Sequence, residues 1–450
     1  MKEKYKVLYG QLIDAYYNKE FEKTFEKLLT EEFEDKQEAK SILSTLCGVD
    51  IDLNLDDHAF TQKLIDAITQ NKVKEKVIAK VRACSSDCET VDGKSKCQSV
   101  CPFDAIIKPT LSEDKVIDET LCMNCGRCVT VCNQGNYMEV PQFLPLAELL
   151  KNHEKVVAMV APAIAGQYGK DVTLDQLREA FIKLGFVDMV EVAMAADVLS
   201  LKEALEFNEH VHKKGDFMIS SCCCPMWVAA LRKVYHQLIP DVSPSVSPMI
   251  AMARIIKALT PDAKVVFIGP CIAKKAEAKE PDLAGDVDFV LTFEEVKLIF
   301  DVFGIVPKEL KGVPSVDYAS TGGRLYARTG GVSEAVWDII DQLFPEKRKL
   351  FTSIQADGMI DCKKLLTELG EGKLHASFIE GMGCKGGCVG GPKAIIPASE
   401  GKECVNDVAY DSAVKIPVHG QVLLALLERL GITDFDELKH GHSMFERTFK

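Results

Sequence analysis

Three cysteine-bearing segments in the C-terminal two-thirds of this chain constrain its fold and chemistry more than any other feature. They span residues 221–227, 269–274 and 380–391. Each sets thiols among glycine, proline and other small residues, where bare backbone can approach a bulky inorganic ligand closely. Together they supply four well-spaced thiolates for an iron–sulfur cube, together with one spare thiol and one lysine.

Composition restricts the class of protein. A hydrophobic content of 47% and a charged content of 27% are typical of a soluble protein of two or three domains. The chain has no run of about 18 apolar residues, so no membrane association is predicted. Its N-terminus has neither an apolar signal region nor a twin-arginine pair, which predicts that the protein is cytoplasmic.

The net charge of -13 argues against nucleic-acid binding. Seventeen cysteines in a reducing compartment indicate metal ligands rather than disulfides.

The first 80 residues contain one cysteine, Cys47, and carry a helical pattern. Apolar residues recur at spacings of three and four in 20–29 and again in 59–79, which predicts two amphipathic helices. The second buried stripe would comprise Leu64, Ile65, Ile68, Val73 and Val77. We interpret this region as a packing or partner-docking module without chemistry of its own.

Beyond residue 141 the chain alternates short β-rich runs with amphipathic helices. This alternation predicts a parallel sheet with crossover helices. The predicted strands are 156–160, 187–192, 217–219, 264–268, 288–291 and 376–379. The three cysteine segments follow the third, fourth and last strands, where open α/β sheets build their sites.

Eight further cysteines between residues 81 and 141 form two sets. The regular set has the spacing C-x2-C-x2-C-x3-C and comprises Cys122, Cys125, Cys128 and Cys132. The irregular set comprises Cys84, Cys88, Cys97 and Cys101. In such runs the fourth cysteine of each set binds the other cluster, so Cys101 joins the first three of the regular set and Cys132 joins the other group. Zinc is the alternative, although zinc sites seldom use eight thiols in this arrangement. The pattern indicates electron transfer through two 4Fe-4S clusters.

Residues 80 to 430 resemble the FeFe-hydrogenases, which interconvert protons, electrons and dihydrogen, and the three cysteine segments carry the resemblance. It implies that Cys224, Cys271, Cys384 and Cys388 bind the catalytic 4Fe-4S cube. Cys388 would also bridge to a two-iron subcluster with carbon monoxide, cyanide and dithiolate ligands, completing the H-cluster. The organometallic unit would supply the hydrogen chemistry, and the protein would orient and tune it.

The resemblance also implies residues around the two-iron unit. Lys274, three residues after Cys271, would donate to one cyanide. The segment Ala161-Pro162-Ala163 would line the second cyanide, and only backbone N–H groups could donate there, since Ala163 has no hydroxyl. Met382 would pack against the diiron unit.

A proton relay is implied in the same way. Cys223 would be its terminal thiol. Glu203 and Glu206, three residues apart on one helix face, would be joined by the hydroxyl of Ser243.

Three positions depart from the common pattern: Cys222, Gly269 and Met249. They resemble the group B enzymes of anaerobic bacteria. Gly269 would lie beside the cluster and remove bulk there, giving the cysteine loop slack. That slack would let Cys223 cap the open iron and protect it from oxygen. Cys47, Cys362 and Cys404 match no motif and are interpreted as buried structural thiols.

The sequence therefore predicts three modules. They are an N-terminal helical region over 1–78, a ferredoxin-like α+β domain over 79–145, and a two-lobed α/β catalytic domain over 146–450 with parallel or mixed sheets flanked by helices. The predicted function is a cytoplasmic hydrogenase that exchanges electrons with a soluble ferredoxin and depends on maturation proteins. Two alternatives stay open: a hydrogen-sensing regulatory hydrogenase, and a non-catalytic iron–sulfur carrier or assembly protein.

Overall fold

The structure is a computed structural model that describes residues 1–84, 88, 90–112, 114–152, 154–221, 223–315, 319–439 and 444–449, without the side chains of 90 and 91. The chain divides into two compact units. The first comprises Met1–Glu154, Lys183–Gly185 and Glu294–Val306, and the second comprises Lys155–Ile182, Phe186–Phe293 and Pro307–Lys450. Within the described ranges, no helix is both long enough and apolar enough to cross a membrane.

The longest α-helix, Ala193–His210, has 18 residues and lies in the second unit. The α-helices are α1 Glu3–Tyr17, α2 Phe21–Glu31, α3 Lys36–Leu46, α4 Asp57–Thr69, α5 Lys96–Ser99, α6 Arg127–Val131, α7 Phe143–Lys151, α8 Leu174–Leu184, α9 Ala193–His210, α10 Pro225–Lys233, α11 Pro248–Leu259, α12 Ala273–Glu277, α13 Phe293–Phe303, α14 Thr321–Leu325, α15 Gly331–Leu343, α16 Met359–Gly370, α17 Ala398–Tyr410 and α18 Gln421–Arg429.

The strands of the first unit have two or three residues, and those of the second unit have four to six, except Met218–Ile219 with two. The strands are β1 Ile78–Lys80, β2 Thr90–Val91, β3 Lys94–Ser95, β4 Ile106–Ile107, β5 Val116–Ile117, β6 Tyr137–Glu139, β7 Val156–Val160, β8 Asp188–Glu191, β9 Met218–Ile219, β10 Lys264–Gly269, β11 Phe289–Thr292, β12 Ser353–Asp357 and β13 Phe378–Met382.

The first unit joins a helical region to a cysteine-rich region of small antiparallel pairs. In the helical region, Phe25 of α2 stacks on Phe60 of α4 with ring centroids 6.1 Å apart. In the cysteine-rich region, β2 pairs with β3, β4 with β5 and β1 with β6, each pair antiparallel. The 78/79 and 145/146 domain boundaries stay predictions.

One predicted helix is wrong in its extent. The apolar stripe predicted over 59–79 ends with α4 at Thr69, and Val73 and Val77 lie beyond that helix. Asn71 adopts a φ of 55°, a left-handed conformation that stops helical propagation. Val77 is still buried, but as the residue that enters β1.

The second unit contains two parallel sheets, which confirms the predicted α/β class. The larger has the order β11-β10-β7-β8, with Val266 of the central strand β10 paired with both Phe289 and Ala158. Strands β11, β10 and β7 are almost wholly buried, as expected when helices cover both faces, whereas the edge strand β8 is only partly buried.

The smaller sheet has the order β12-β13-β9, with Ile379 of β13 paired with Ile354 and Ile219. Since all its strands are parallel, β9 and β13 end at the same edge. The chain leaves that edge toward Cys224 from β9 and toward Cys384 from β13, while β10 of the larger sheet leads to Cys271.

Candidate metal centres

In the first unit, one group of cysteines surrounds a cavity of about 190 Å³. Its lining includes Cys84, Cys88, Cys97 and Cys132. Burial raises the pKa of the Cys97 thiol, and the neighbouring Cys88, Cys132 and Cys84 add to the shift. These four thiols are the set that the spacing rule assigns to one cluster, including Cys132 from the other run.

The second group forms around the regular run. Burial raises the pKa of Cys122 to about 11, and the charges of Cys125 and Cys101 add to it. The pKa of Cys128 is likewise raised by burial, then by Cys125 and Cys122. Cys101 thus lies with the three cysteines that the spacing rule gives it.

Backbone N–H groups point at the sulfurs of both groups. Ala105 N donates to Cys101 Sγ at 3.2 Å and Asn124 N to Cys122 Sγ at 3.4 Å. Asn136 N donates to Cys132 Sγ at 3.3 Å. Such donors stabilise thiolate charge and tune cluster potentials, so the donor set fits two iron–sulfur cubes.

In the second unit, the three sequence-predicted cysteine segments meet. Cys224 is the N-cap of α10, and Pro225 occupies the first helical position, where its missing N–H costs nothing. Gly383 N donates to Cys224 Sγ at 3.3 Å, which joins the loop after β13 to the loop after β9. Lys393 N donates to Pro270 O at 3.0 Å, which joins the loop after β13 to that after β10.

Burial dominates the electrostatics of these thiols. It raises the pKa of Cys271 to about 12, with added contributions from Cys224 and Cys388, and Lys274 opposes the shift. It raises the pKa of Cys388 to about 11, again with Cys224 adding and Lys274 opposing. Since metals bind thiolates, a metal ion must displace protons from this group of thiols.

Two carboxylates that the sequence analysis missed hold the loop carrying Cys384 and Cys388. Asp357, the last residue of β12, accepts hydrogen bonds at 2.6 Å from both Gly386 N and Thr329 Oγ1. Glu380, buried in β13, accepts from Gly330 N at 2.8 Å and from the N–H and hydroxyl of Ser333. The signal available in the sequence was an acidic residue at, or just before, the carboxyl end of a strand.

The burial and charge of Lys274 show whether an anionic ligand fits beside the cysteines. Its side chain is 8% exposed, and its Nζ lies 2.7 Å from Glu277 Oε2. Apart from this ion pair, Nζ makes no hydrogen bond to any atom of the described residues. Burial disfavours the ammonium, but Glu277, Cys271 and Cys388 outweigh it and raise the pKa of Lys274 above its ordinary value. A buried cation that lies beside Cys271 and Cys388 and keeps N–H donors beyond its ion pair fits the anionic H-cluster.

The other predicted contacts of the diiron unit lie at the same sheet edges. Ala161 N donates to Ile268 O at 2.9 Å, and Pro162–Ile164 forms a short 3-10 helix directly after β7. Ala163 is fully buried. Met382 Sδ lies 3.7 Å from Cys223 Sγ, so the structure brings these two predicted residues together.

The slack expected at Gly269 is absent. A Cβ placed on Gly269 would lie 2.6 Å from the Phe267 ring, so the missing side chain makes room for an aromatic ring of the same strand. Gly269 therefore leaves no open space that would let the cysteine loop move, and it gives no support to oxygen protection by Cys223. Cys222, the other basis of that prediction, lies outside the described residues.

The predicted relay residues lie on α9 and on the two segments facing it. Glu203 is fully buried and accepts a hydrogen bond from Ser220 Oγ at 3.0 Å. Ser243 Oγ donates to Glu206 Oε2 at 2.7 Å, so these two predicted residues are in contact. Ser220 and the buried Lys202, which pairs with Glu206, were not predicted.

The three cysteines outside the motifs, Cys47, Cys362 and Cys404, are all buried. Cys362 Sγ donates to Met382 O at 3.4 Å and so supports the strand end that leads to Cys384.

Comparison with known proteins places this geometry in a family. The profile described as "Iron only hydrogenase large subunit, C-terminal domain" matches residues 154–392, which is just over half of the chain. The NADP-reducing hydrogenase subunit HndD of Solidesulfovibrio fructosivorans is 28% identical over 366 residues, which cover 69% of this chain and 62% of that protein. The chain therefore spans less than two thirds of the length of that relative.

Relatives of two kinds are similar to this chain. Iron hydrogenase 1 of Clostridium pasteurianum is 27% identical over 63% of this chain and 67% of its own length. Cytosolic iron-sulfur assembly component 3 of Rattus norvegicus is 26% identical over 64% of this chain and 74% of its own length. A solved structure of FeFe-hydrogenase HydA1 from Chlamydomonas reinhardtii has a TM-score of 0.56 at 23% identity, covering 65% of this chain and 93% of that one, and it supports the fold. The chain therefore belongs to the iron-only hydrogenase large-subunit family.

Proposed function

We propose that this protein is a hydrogenase that catalyses the reversible conversion of two protons and two electrons to dihydrogen. Cys224, Cys271, Cys384 and Cys388 would hold the catalytic cube of an H-cluster, with Cys388 shared with its diiron part. The H-cluster supplies the hydrogen chemistry when bound. The eight cysteines of the first unit would hold two 4Fe-4S clusters that exchange electrons with a soluble ferredoxin.

The observation that carries this proposal is the buried Lys274 ammonium beside the cysteines. A protein that bound only a cubane would gain little from a buried cation that keeps N–H donors beyond its ion pair with Glu277. A cyanide ligand is an anionic acceptor that would use those donors and offset the cost of burying the charge.

The chain's own residues would manage the proton. Cys223, against Met382, would present a thiol proton at the site and take it back in the reverse direction. Glu203, held by Ser220, would be the next acceptor, and Glu206, held by Ser243, the outer one. These carboxylates are buried on α9, so they are the groups through which protons would travel.

Infrared spectroscopy of protein produced with hydrogenase maturation proteins tests the proposal. Carbonyl and cyanide stretching bands together with hydrogen turnover are expected. A protein that holds its iron–sulfur cubes after maturation but shows neither these bands nor turnover would contradict it.

A second candidate is an iron–sulfur carrier or assembly protein, which the similarity to cytosolic iron-sulfur assembly component 3 favours. That role needs the cubes alone. It predicts transfer of iron–sulfur clusters to an acceptor apoprotein and an unchanged cluster content when Lys274 is replaced. The group B assignment stays a prediction.

A further inference from the structure

The C-terminal segment 444–449 lies against the outer end of the predicted proton relay. Val246 N donates to Phe445 O at 3.0 Å, and Arg447 N donates to Pro244 O at 2.9 Å. Ser245 and Glu446 therefore face one another in an antiparallel bridge. Because Ser243 lies directly before this bridge, the segment places Glu446 next to the relay.

Glu446 meets the relay through Lys202. The Lys202 side chain is fully buried, and its Nζ contacts Glu206 Oε1 and lies 3.3 Å from Glu446 Oε1. The other oxygen of Glu206 accepts the hydrogen bond of Ser243. Lys202 thus lies between two carboxylates, one of which is a relay residue.

Solvent exposure differs along the series Glu206, Lys202 and Glu446. The side chains of Lys202 and Glu206 are 0% and 3% exposed, whereas that of Glu446 is 22% exposed. Glu446 is therefore the member of the series that is most exposed to water.

The C-terminal segment is firmly anchored in this position. Arg254 Nη1 donates to Met444 O at 3.3 Å and to Glu446 O at 2.9 Å. Arg447 pairs with Glu280 and Asp282. On α9, His210 Nδ1 lies 2.8 Å from Glu206 O.

We propose that Lys202 and Glu446 extend the proton relay to the protein surface, with Glu446 as its solvent-facing group. The proposal deepens the hydrogenase function and rests on it. In the inward direction, Lys202 gives a proton to Glu206 Oε1 and takes one from Glu446, which recovers a proton from water. The ammonium is restored, and one proton has moved from solvent to Glu206. The outward direction reverses each transfer.

The test replaces Glu446 in the matured full-length protein. Glu446→Ala is expected to lower hydrogen turnover by on the order of 10²-fold, at the lower end of what a positioned proton-transfer group contributes. Carbonyl and cyanide infrared bands should stay at wild-type intensity. Glu446→Gln, which keeps the shape but holds no transferable proton, should lose as much, and Glu446→Asp should retain most turnover. Glu428→Ala, an exposed residue of α18, is the matched control and should be without effect.

Chemical rescue separates proton transfer from a structural role. Added imidazole, a small diffusible acid and base, should restore turnover of Glu446→Ala in a concentration-dependent way and leave Glu428→Ala unchanged. Wild-type turnover in both Glu446→Ala and Glu446→Gln, or a loss that imidazole does not restore, would overturn the extension. If the wild type itself showed the infrared bands without turnover, the proposed function would fail instead.

Discussion

The Lys274 ammonium lies 2.7 Å from Glu277 Oε2, one turn further along α12, and both side chains are buried. Burying such a pair is costly, and breaking it by removing one partner costs more than replacing both. The pair therefore keeps a cation beside Cys271 and Cys388, while the N–H donors of Lys274 that do not face Glu277 stay available for an anionic ligand.

Replacing Lys274 tests that role. Lys274→Ala is expected to lower the occupancy of the diiron unit, because a charge-assisted hydrogen bond of about 1.5–3 kcal/mol is lost in a buried site. The ratio of carbonyl and cyanide infrared intensity to total iron measures it. The double variant Lys274→Met/Glu277→Gln avoids an unpaired buried carboxylate and should show the same loss.

Lys385 offers a matched control for Lys274. It lies between Cys384 and Cys388 in sequence but is exposed, so Lys385→Ala removes the same charge without touching the buried site. We expect normal diiron loading in this control. Full occupancy of the diiron unit in both Lys274 variants would show that Lys274 does not hold it.

Iron content tests the cysteine assignments. Protein made without maturation proteins is expected to hold three cubes, about 12 irons, and matured protein about 14. Cys97→Ala should lose about one cube of 4 irons, whereas Cys47→Ala, which removes a buried thiol outside the motifs, should lose none. Zinc in the first unit, or fewer than three cubes after full reconstitution, would contradict the assignment.

The predicted relay residues Cys223 and Glu203 are tested by replacing the side chains that would carry the proton. Cys223→Ala and Glu203→Ala should keep the cofactor infrared bands while hydrogen turnover falls by about 10²–10⁴-fold, since a methyl group neither donates nor accepts a proton. Glu209→Ala, exposed on the same helix, serves as the control. Near-normal rates in both relay variants would mean that protons travel by another route.

Asp197 predicts a pH dependence of stability. Burial raises its pKa to about 7, although the N–H and hydroxyl of Ser320 and the N–H of Gly323 oppose the shift. The Asp197 carboxyl ionises near pH 4 in the unfolded chain but near pH 7 in the folded protein. Between these two values the unfolded chain is ionised and the folded protein is not, so the free energy of unfolding falls as the pH rises. Its destabilising effect is then constant above about pH 7.

Urea midpoints measured anaerobically between pH 5 and 8 measure this effect. Asp197→Asn is neutral throughout but cannot accept both Ser320 donors, so it should be less stable than the wild type at pH 5. The difference should shrink as pH rises toward 8. The exposed Asp361→Asn should run parallel to the wild type; a constant gap for Asp197→Asn would contradict the raised pKa.

The strongly apolar elements could be predicted from the sequence because their residues determine them locally. The run 156–160 is wholly apolar and rich in valine and became β7, and the 264–268 run became β10 with one more residue. β12 was missed because Ser353 and Gln355 are polar, and only pairing with β13 at the sheet edge makes it a strand. The α4 prediction failed at its end because an apolar period continues through residues that a left-handed Asn71 separates from the helix.

The sequence by itself determined which thiols form motifs and, through their spacing, predicted how eight of them would divide between two clusters. Only the tertiary structure decided what surrounds them. Asp357, Glu277 and Glu446 are ordinary acidic residues in the sequence, and each gains a role from a contact made after folding. Gly269 shows the same limit, since its neighbour is the Phe267 ring rather than open space. The physical reason is that a ligand motif is a local pattern of chemistry, whereas burial, charge pairing and free space depend on segments that are distant in sequence.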